Sequence, residues 1–405
     1  MYGVQRVHSN SESISKFCKY TDQREVVRPH AFFVFPCRIR LMNETVGIGI
    51  IGTGFARRVQ IPAFLKCKGA AITSVSSGSL DNARLTASEF AIEHFSGDWR
   101  ETASHPAVAL VCITTPPSLH KEMALFAISQ GKHVLCEKPM AMNVAEAEAM
   151  NLAASSHSLL ALIDHELRFQ PGRRLAYTML REGKIGKIRH AKAIFQAPHR
   201  GDPNVPWNWW SEAEEGGGAL GAIGSHILDS FNWLLGTGVS SISCQLQTHV
   251  KSRRDSTGHM RAVTADDESN MLLRFHDSEL TDDATGLVSI SMSEYPRYKS
   301  LLEIFGTSGA MRIGQNGELD MAKANENDWT RLETDLGQPI QGVADTGFSR
   351  AFMQFAPEII LAIRSGKGTI EHAATFDDGV LVQKVLDAAC ESNSSGKTCI
   401  LPNAT

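Results

Sequence analysis

From residue 46 onward the chain alternates short apolar runs with stretches of helical spacing, and this alternation restricts the fold more than any other feature. Residues 46–51, 71–76, 108–113, 133–136 and 159–163 read as buried strands. Between them, residues 81–90, 119–129 and 144–156 repeat apolar positions at helical intervals, with Gly131 as a C-terminal stop. Strands separated by helices form a parallel sheet with right-handed crossovers, and such a sheet binds its ligand beyond the carboxyl ends of its strands. The segments that leave those strands are therefore where chemistry should collect.

Three of them carry it. Gly52-Thr53-Gly54 follows the first strand and precedes a helical stretch at 59–65. Glycine permits the tight turn there and lets backbone amides, through Phe55 and Ala56, approach a pyrophosphate at the helix N-terminus. Thr114-Thr115-Pro116-Pro117 leaves the strand at 108–113, so Thr115 and Pro116 would border the ribose and nicotinamide, with His120 as a helix-start or cofactor-packing residue. Glu137-Lys138-Pro139 leaves the strand at 133–136. Oxidising a secondary alcohol requires loss of the hydroxyl proton, and a lysine desolvated beside a positive nicotinamide ring can assist that loss. The plainer reading of Lys138 is a surface lysine paired with Glu137.

Two departures from the usual dinucleotide fingerprint bear on the cofactor. Arg57 holds the position where close helix packing favours Gly or Ala, so its side chain must point outward or toward the cofactor. After the second strand, Ser76-Ser77-Gly78-Ser79 replaces the acidic residue that binds the ribose of NAD, and the first carboxylate is Asp81. A hydroxyl-rich loop at Ser77, near Arg57 or Arg84, would accept a 2'-phosphate, so NADP is expected in preference to NAD.

Composition sets the remaining bounds. At 405 residues the chain exceeds a single core, and two domains are expected. A net charge of -4 without blocks of one sign leaves no footprint for nucleic acid or anionic membrane, and no apolar stretch approaches the ~20 residues of a membrane helix. The 8 cysteines show neither a CxxC pair nor metal-ligand spacing, which suggests reduced thiols in a cytosolic protein without a metal. Residues 1–41 read as an extension ahead of a start at Met42; Glu12, Asp22 and Glu25 argue against a transit peptide.

A second domain begins near Arg168. After a helix at 171–182, stopped by Gly183, strands at 188–197, 240–248, 268–275, 287–293 and 301–305 suggest an open, largely antiparallel sheet with one face free for a partner. A helical stretch at 373–389 should pack back on the first domain. Gly216-Gly217-Gly218 leads into a helix at 219–235, stopped by Gly236, which carries Ala222, His226, Asp229 and Trp233 on one face. His226 is then either a base beside Lys138, oriented by Asp229, or a satisfied core histidine. His165 and Arg168, just past the strand at 159–163, could add polar contacts to a substrate. Trp207, Trp209 and Trp210 are of a kind that mostly serves packing, but Trp210 could stack on a sugar ring.

In order and spacing, Gly52-Thr53-Gly54, Thr115-Pro116-Pro117-Ser118-Leu119-His120, Glu137-Lys138-Pro139 and the glycine-rich segment 216–226 resemble the Gfo/Idh/MocA family, the glucose-fructose oxidoreductase and inositol dehydrogenase group. The resemblance runs from about residue 46 to about residue 389. It implies an α/β fold, with an N-terminal Rossmann dinucleotide-binding domain over 42–167 and a C-terminal α+β domain over 168–405. It further implies a cis bond before Pro139, Glu137 and Lys138 at the nicotinamide, Lys138 on the reacting hydroxyl, and a homodimer or homotetramer through the C-terminal sheet. Dehydrogenases of this family usually carry an Asp one turn before the His, where this chain has Ala222. The function implied is hydride transfer between NAD(P) and a hydroxyl or keto group of a sugar, polyol or related small molecule. A cofactor-binding sensor without catalysis and an NAD-dependent redox glycosidase are the alternatives.

Overall fold

The computed structural model describes residues 45–339 and 342–403; the expected extension at 1–41 lies outside the described residues. Six strands, β1 (Val46–Ile51), β2 (Ala70–Ser76), β3 (His94–Ser96), β4 (Leu110–Ile113), β5 (His133–Cys136) and β6 (Ala161–Ile163), pair in parallel in the order β3-β2-β1-β4-β5-β6. Helices α1 (Ile61–Phe64), α2 (Leu80–Phe90), α3 (Trp99–Ser104), α4 (His120–Ser129) and α5 (Val144–Ser155) make the crossovers. Ser79, Asp98 and Asn143 cap α2, α3 and α5 by accepting from backbone amides of the first turn. All residues of β1 and β4 are buried, as strands covered on both faces must be. Strand order reverses between β1 and β4, which opens the crevice at their carboxyl ends. The pair β3 and α3 is an addition to the sequence reading: His94-Phe95-Ser96 is too short and too polar to stand out as an apolar run.

Among the described residues the second sheet has nine strands. In chain order they are β7 (Ile188–Gln196), β8 (Val239–Gln247), β11 (Glu268–Phe275), β12 (Thr281–Ser291), β13 (Lys299–Gly306), β14 (Gly309–Ile313), β15 (Leu319–Lys323), β16 (Thr330–Leu332) and β17 (Cys399–Ile400), while β9 (Ser252–Arg254) and β10 (Met260–Ala262) form a separate hairpin. They are arranged β16-β15-β14-β13-β7-β12-β11-β8-β17. Only β7 and β12 run parallel; every other pair is antiparallel. Helices α6 (Pro171–Arg181) and α7 (Ser225–Leu235) cover one face, where Met271, Leu273, Val288, Ile290, Ile304 and Phe231 form the core. On the opposite face Leu272 and Leu287, directly paired across β11 and β12, are 63% and 40% exposed.

The chain then returns to the first sheet. Phe352, Phe355, Ile359 and Ile363 of α8 (Gly347–Ser365) join β1 and Phe64 in one core. The sequence reading passed over this helix, whose interior contains Pro357, ordinarily a breaking signal. In α9 (Phe376–Ser395), Phe376 and Val380 pack beside Ile163, whereas Val382, Val385 and Leu386 pack beneath the second sheet. The expected helix at 373–389 thus packs back on the first sheet, as anticipated, and holds the second as well.

Candidate active site

The crevice is assembled from the loops that leave β1, β2, β4, β5 and β6. Gly52 donates its amide to Ser76 O at 2.8 Å and has φ +97, and a Cβ there would lie 2.6 Å from Thr114 O. Glycine is therefore required for the turn that brings β1 against the loop after β4. A Cβ on Gly54 would meet nothing within 4 Å. Past Phe55 the chain enters a helical turn at Ala56–Gln60 that runs into α1, and the buried Ala56 fixes its start. This leaves open backbone before the amides of a helix start, which fits a pyrophosphate. Arg57 points outward: its Nε donates to Glu89 on α2 at 2.5 Å. Arg84 is held by Asp81 at 2.9 Å, and Ser77, half-buried, follows β2.

Behind Thr115 and Pro116 the structure revises one assignment. His120 is fully buried and does not face the crevice; its Nδ1 lies 3.0 Å from Pro139 O and its Nε2 3.0 Å from Thr115 O. Burial lowers its pKa to about 4, so the ring is neutral and only one of its nitrogens donates. The ring thus lies between the loop after β4 and the Lys138-Pro139 turn, donating to one of the two carbonyls; the Lys138-Pro139 peptide bond is cis as expected.

Beyond β5 and β6 lies a buried acid cluster. Gln60 Nε2 donates to Glu137 Oε1 at 3.2 Å and to Asp164 Oδ2 at 2.8 Å. Burial raises the pKa of both carboxyls, with Lys138 pulling Glu137 back and the charges of Glu166 and Glu137 pushing Asp164 further up. Lys138 Nζ donates to Ala222 O at 3.2 Å, which draws it to the helical turn that precedes α7. Gly221 faces the Pro139 ring, where a Cβ would make ordinary contact at 3.4 Å. Asp266 anchors the same turn by accepting from Leu220 N at 2.8 Å, beside Gly218 at φ +112.

His226 stands one turn beyond Ala222, buried, its ring 5.4 Å from that of His165 and 5.2 Å from that of Phe348. Asp229 does not orient it, contrary to expectation. Both oxygens of Asp229 bind Arg168, at 2.9 and 2.6 Å, and Arg168 also donates to Asp378 at 2.9 Å. Arg168 and Asp229 are thus a buried cross-link between the β6 loop and α7, and their polar atoms are not free for a substrate. The carboxyl facing His226 is that of Glu166, with 3.9 Å between Nδ1 and Oε2. These two are not an ion pair: burial, then the charge of Lys138, depresses His226 well below its usual pKa, and burial lifts Glu166 well above its own. Burial also brings His165 to about 4. Trp210 packs on the core of the second sheet, with the Arg200 guanidinium 5.9 Å from its ring, the packing role that such clusters mostly serve.

Lys138, His226 and His165 are therefore brought together, while His120, Arg168, Asp229 and Trp210 make structural contacts. Gln60, Asp164 and Glu166 were missed; Asp164 and Glu166 flank His165 at a strand end, which is the signal that could have found them.

Comparison with known proteins bears on the fold and the family. Residues 46–165 match the oxidoreductase family, NAD-binding Rossmann fold, and residues 174–312 match the GFO/IDH/MocA C-terminal domain. An uncharacterized oxidoreductase of Synechocystis sp. is 31% identical over 301 residues, covering 74% of this chain and 78% of that protein. Levoglucosan dehydrogenase of Pseudarthrobacter phenanthrenivorans is 27% identical over 384 residues, covering 86% and 96%. A structure of levoglucosan dehydrogenase in complex with NADH and levoglucosan aligns with a TM-score of 0.80 at 26% identity, covering 89% of this chain and 100% of that one.

Proposed function

Since the chain belongs to the Gfo/Idh/MocA family of NAD-binding oxidoreductases, we propose that it oxidises a ring hydroxyl of a sugar or polyol, or reduces the matching ketone, with Lys138 and His226 handling the proton. The carrying observation is the meeting of Lys138, from the end of β5, with the turn one helical step before His226. Two groups able to exchange a proton thereby lie close to one another. A sugar is the favoured substrate class because levoglucosan dehydrogenase, which shares the whole two-sheet fold, has been solved with NADH and either levoglucosan or L-sorbose.

The backbone at Gly52 to Ala56 would hold the pyrophosphate, Thr115 and Pro116 the nicotinamide ribose, and Glu137 the amide edge of the ring. A bound nicotinamide supplies the acceptor or donor of hydride. Lys138, a cationic donor, would orient the substrate hydroxyl and stabilise developing negative charge on its oxygen; neutral His226 would take the proton. NAD(H) is the working cofactor in this reading. The expectation of NADP rested on Arg57 and Arg84 beside the serine loop, and both guanidinium groups are paired with carboxylates. A homodimer is proposed through the outer face of the second sheet, where Leu272 and Leu287 lie side by side.

The test is Lys138→Ala in the full chain, with NADH binding followed by fluorescence and turnover by nicotinamide absorbance. Retained NADH affinity with kcat reduced by roughly a hundredfold or more is expected for loss of a proton-handling group; unchanged kcat would refute the assignment.

A further inference from the structure

Two buried groups at the centre of the site keep hydrogen-bonding capacity that the assignment of Lys138 and His226 leaves unexplained. Neither ring nitrogen of His226, nor Oε2 of Glu166, has a hydrogen-bond partner among the described residues, although each side chain is only 3% exposed. Buried polar atoms in folded proteins are nearly always paired, so orphans that face one another mark a pair that acts. Nδ1 and Oε2 are 3.9 Å apart, and a small rotation of either side chain closes the gap to the roughly 2.7–3.2 Å of a hydrogen bond. Glu166 comes from the turn after β6 and His226 from α7, so the contact spans from one sheet's elements to the other's. Asp229, another carboxylate near these rings, is occupied by Arg168 and stays 4.0 Å from His165.

Resting on the reading of His226 as proton acceptor, we propose that Glu166 is the positioning acid of His226: it holds Nδ1 and receives the Nδ1 proton when substrate delivers one to Nε2. In the oxidation direction a bound oxidised nicotinamide would supply the acceptor for the hydride, the electron pair of the carbinol C–H bond. The O–H electrons form the carbonyl π bond, the hydroxyl proton bonds to Nε2 of His226, and the proton on Nδ1 passes to the Glu166 carboxylate. One proton enters the pair, no charged imidazole persists, and the reverse sequence serves ketone reduction.

The surroundings favour that outcome. Glu137 and Lys138 face the pair from the end of β5, Asp164 and His165 from the β6 turn, Arg173 from α6 and Asp229 from α7. Lys138 and Arg173 oppose a positive charge on His226, and Glu137 and Asp229 oppose a negative one on Glu166. Oxidation then needs Glu166 ionised and speeds up as pH rises through a carboxyl titration displaced above the usual range, while reduction slows.

The direct readout is the imidazole nitrogen NMR of the full chain labelled with 15N-histidine, the His226 signals being identified by their loss in His226→Gln. As pH falls and Glu166 takes up its proton, His226 is expected to change from the Nδ1–H to the Nε2–H tautomer without becoming imidazolium. E166Q should abolish the switch and Glu166→Asp should keep it with a displaced midpoint, with circular dichroism confirming that each variant is folded. An imidazolium formed directly in the wild type, or an unchanged tautomer titration in E166Q, would overturn the proposal. Should E166Q not fold, the wild-type and Glu166→Asp titrations decide alone. A kinetic arm applies to any sugar the wild type turns over: E166Q should lower kcat by roughly tenfold or more and flatten its pH profile, with KM changed less than about threefold. A chain that binds NADH yet turns over no sugar would count against the dehydrogenase reading, while the tautomer titration would still decide the role of Glu166.

Discussion

Gly52 and Gly54 flank one threonine yet meet different demands. At Gly52 both φ and space require glycine, so Gly52→Ala is expected to destabilise the fold by about 1–3 kcal/mol in urea unfolding. At Gly54 a methyl group has room, so Gly54→Ala should leave stability nearly unchanged but weaken NADH binding roughly tenfold, about 1.4 kcal/mol, because the methyl would occupy space needed for phosphate approach. Equal stability losses in the two variants, with NADH affinity intact, would argue against a pyrophosphate at this turn. Asp164 offers a test through pH. Burial raises its pKa above the ordinary 3.8, so above about pH 4 the native protein holds a proton that the unfolded chain has lost. Stability from this group therefore falls as pH rises, until Asp164 itself ionises. Asp164→Asn removes that slope, so its stability relative to wild type should improve as pH rises above about pH 4 in urea titrations; a constant difference would contradict the assigned direction.

Among the elements, the turn after β6 binds the most parts together. Arg168 in that turn is 4% exposed and joins Asp229 on α7 to Asp378 on α9. Replacing it with Met leaves Asp229 buried without its partner, and a loss of about 3–5 kcal/mol is expected in chemical denaturation. This cross-link also shows where sequence reading stops. The parallel strands were legible because a strand buried on both faces is an uninterrupted apolar run, as in Leu110–Ile113. The glycine turn and Glu137-Lys138-Pro139 were legible because each follows such a run directly. Helix α8 was not, since Pro357 interrupts its pattern although the helix continues through it. Asp229 was assigned to His226 on helical spacing, which fixes a face but not what arrives from the rest of the chain. Arg168 lies 61 residues away and takes that carboxylate, and Glu166 comes to His226 from the same distant turn.

On the scale of the whole molecule, the two sheets share α9, whose first turns pack on one core and whose later turns pack on the other. The outer face of the second sheet has no such cover among the described residues. If it mediates a dimer, Leu272→Glu together with Leu287→Glu should shift sedimentation toward the monomer without loss of secondary structure; an unchanged sedimentation coefficient would place the interface elsewhere. Among the described residues no helix is long and apolar enough to cross a membrane. The central claim is hydride exchange between NAD(H) and a sugar hydroxyl at Lys138 and His226. Its most direct measurement is nicotinamide absorbance with NAD+ and NADP+ against a panel of pyranoses, anhydrosugars and polyols, run beside Lys138→Ala. The account expects reduction of NAD+ by at least one sugar, faster than reduction of NADP+ and lost in the variant; tight cofactor binding with no turnover on any of them would contradict it.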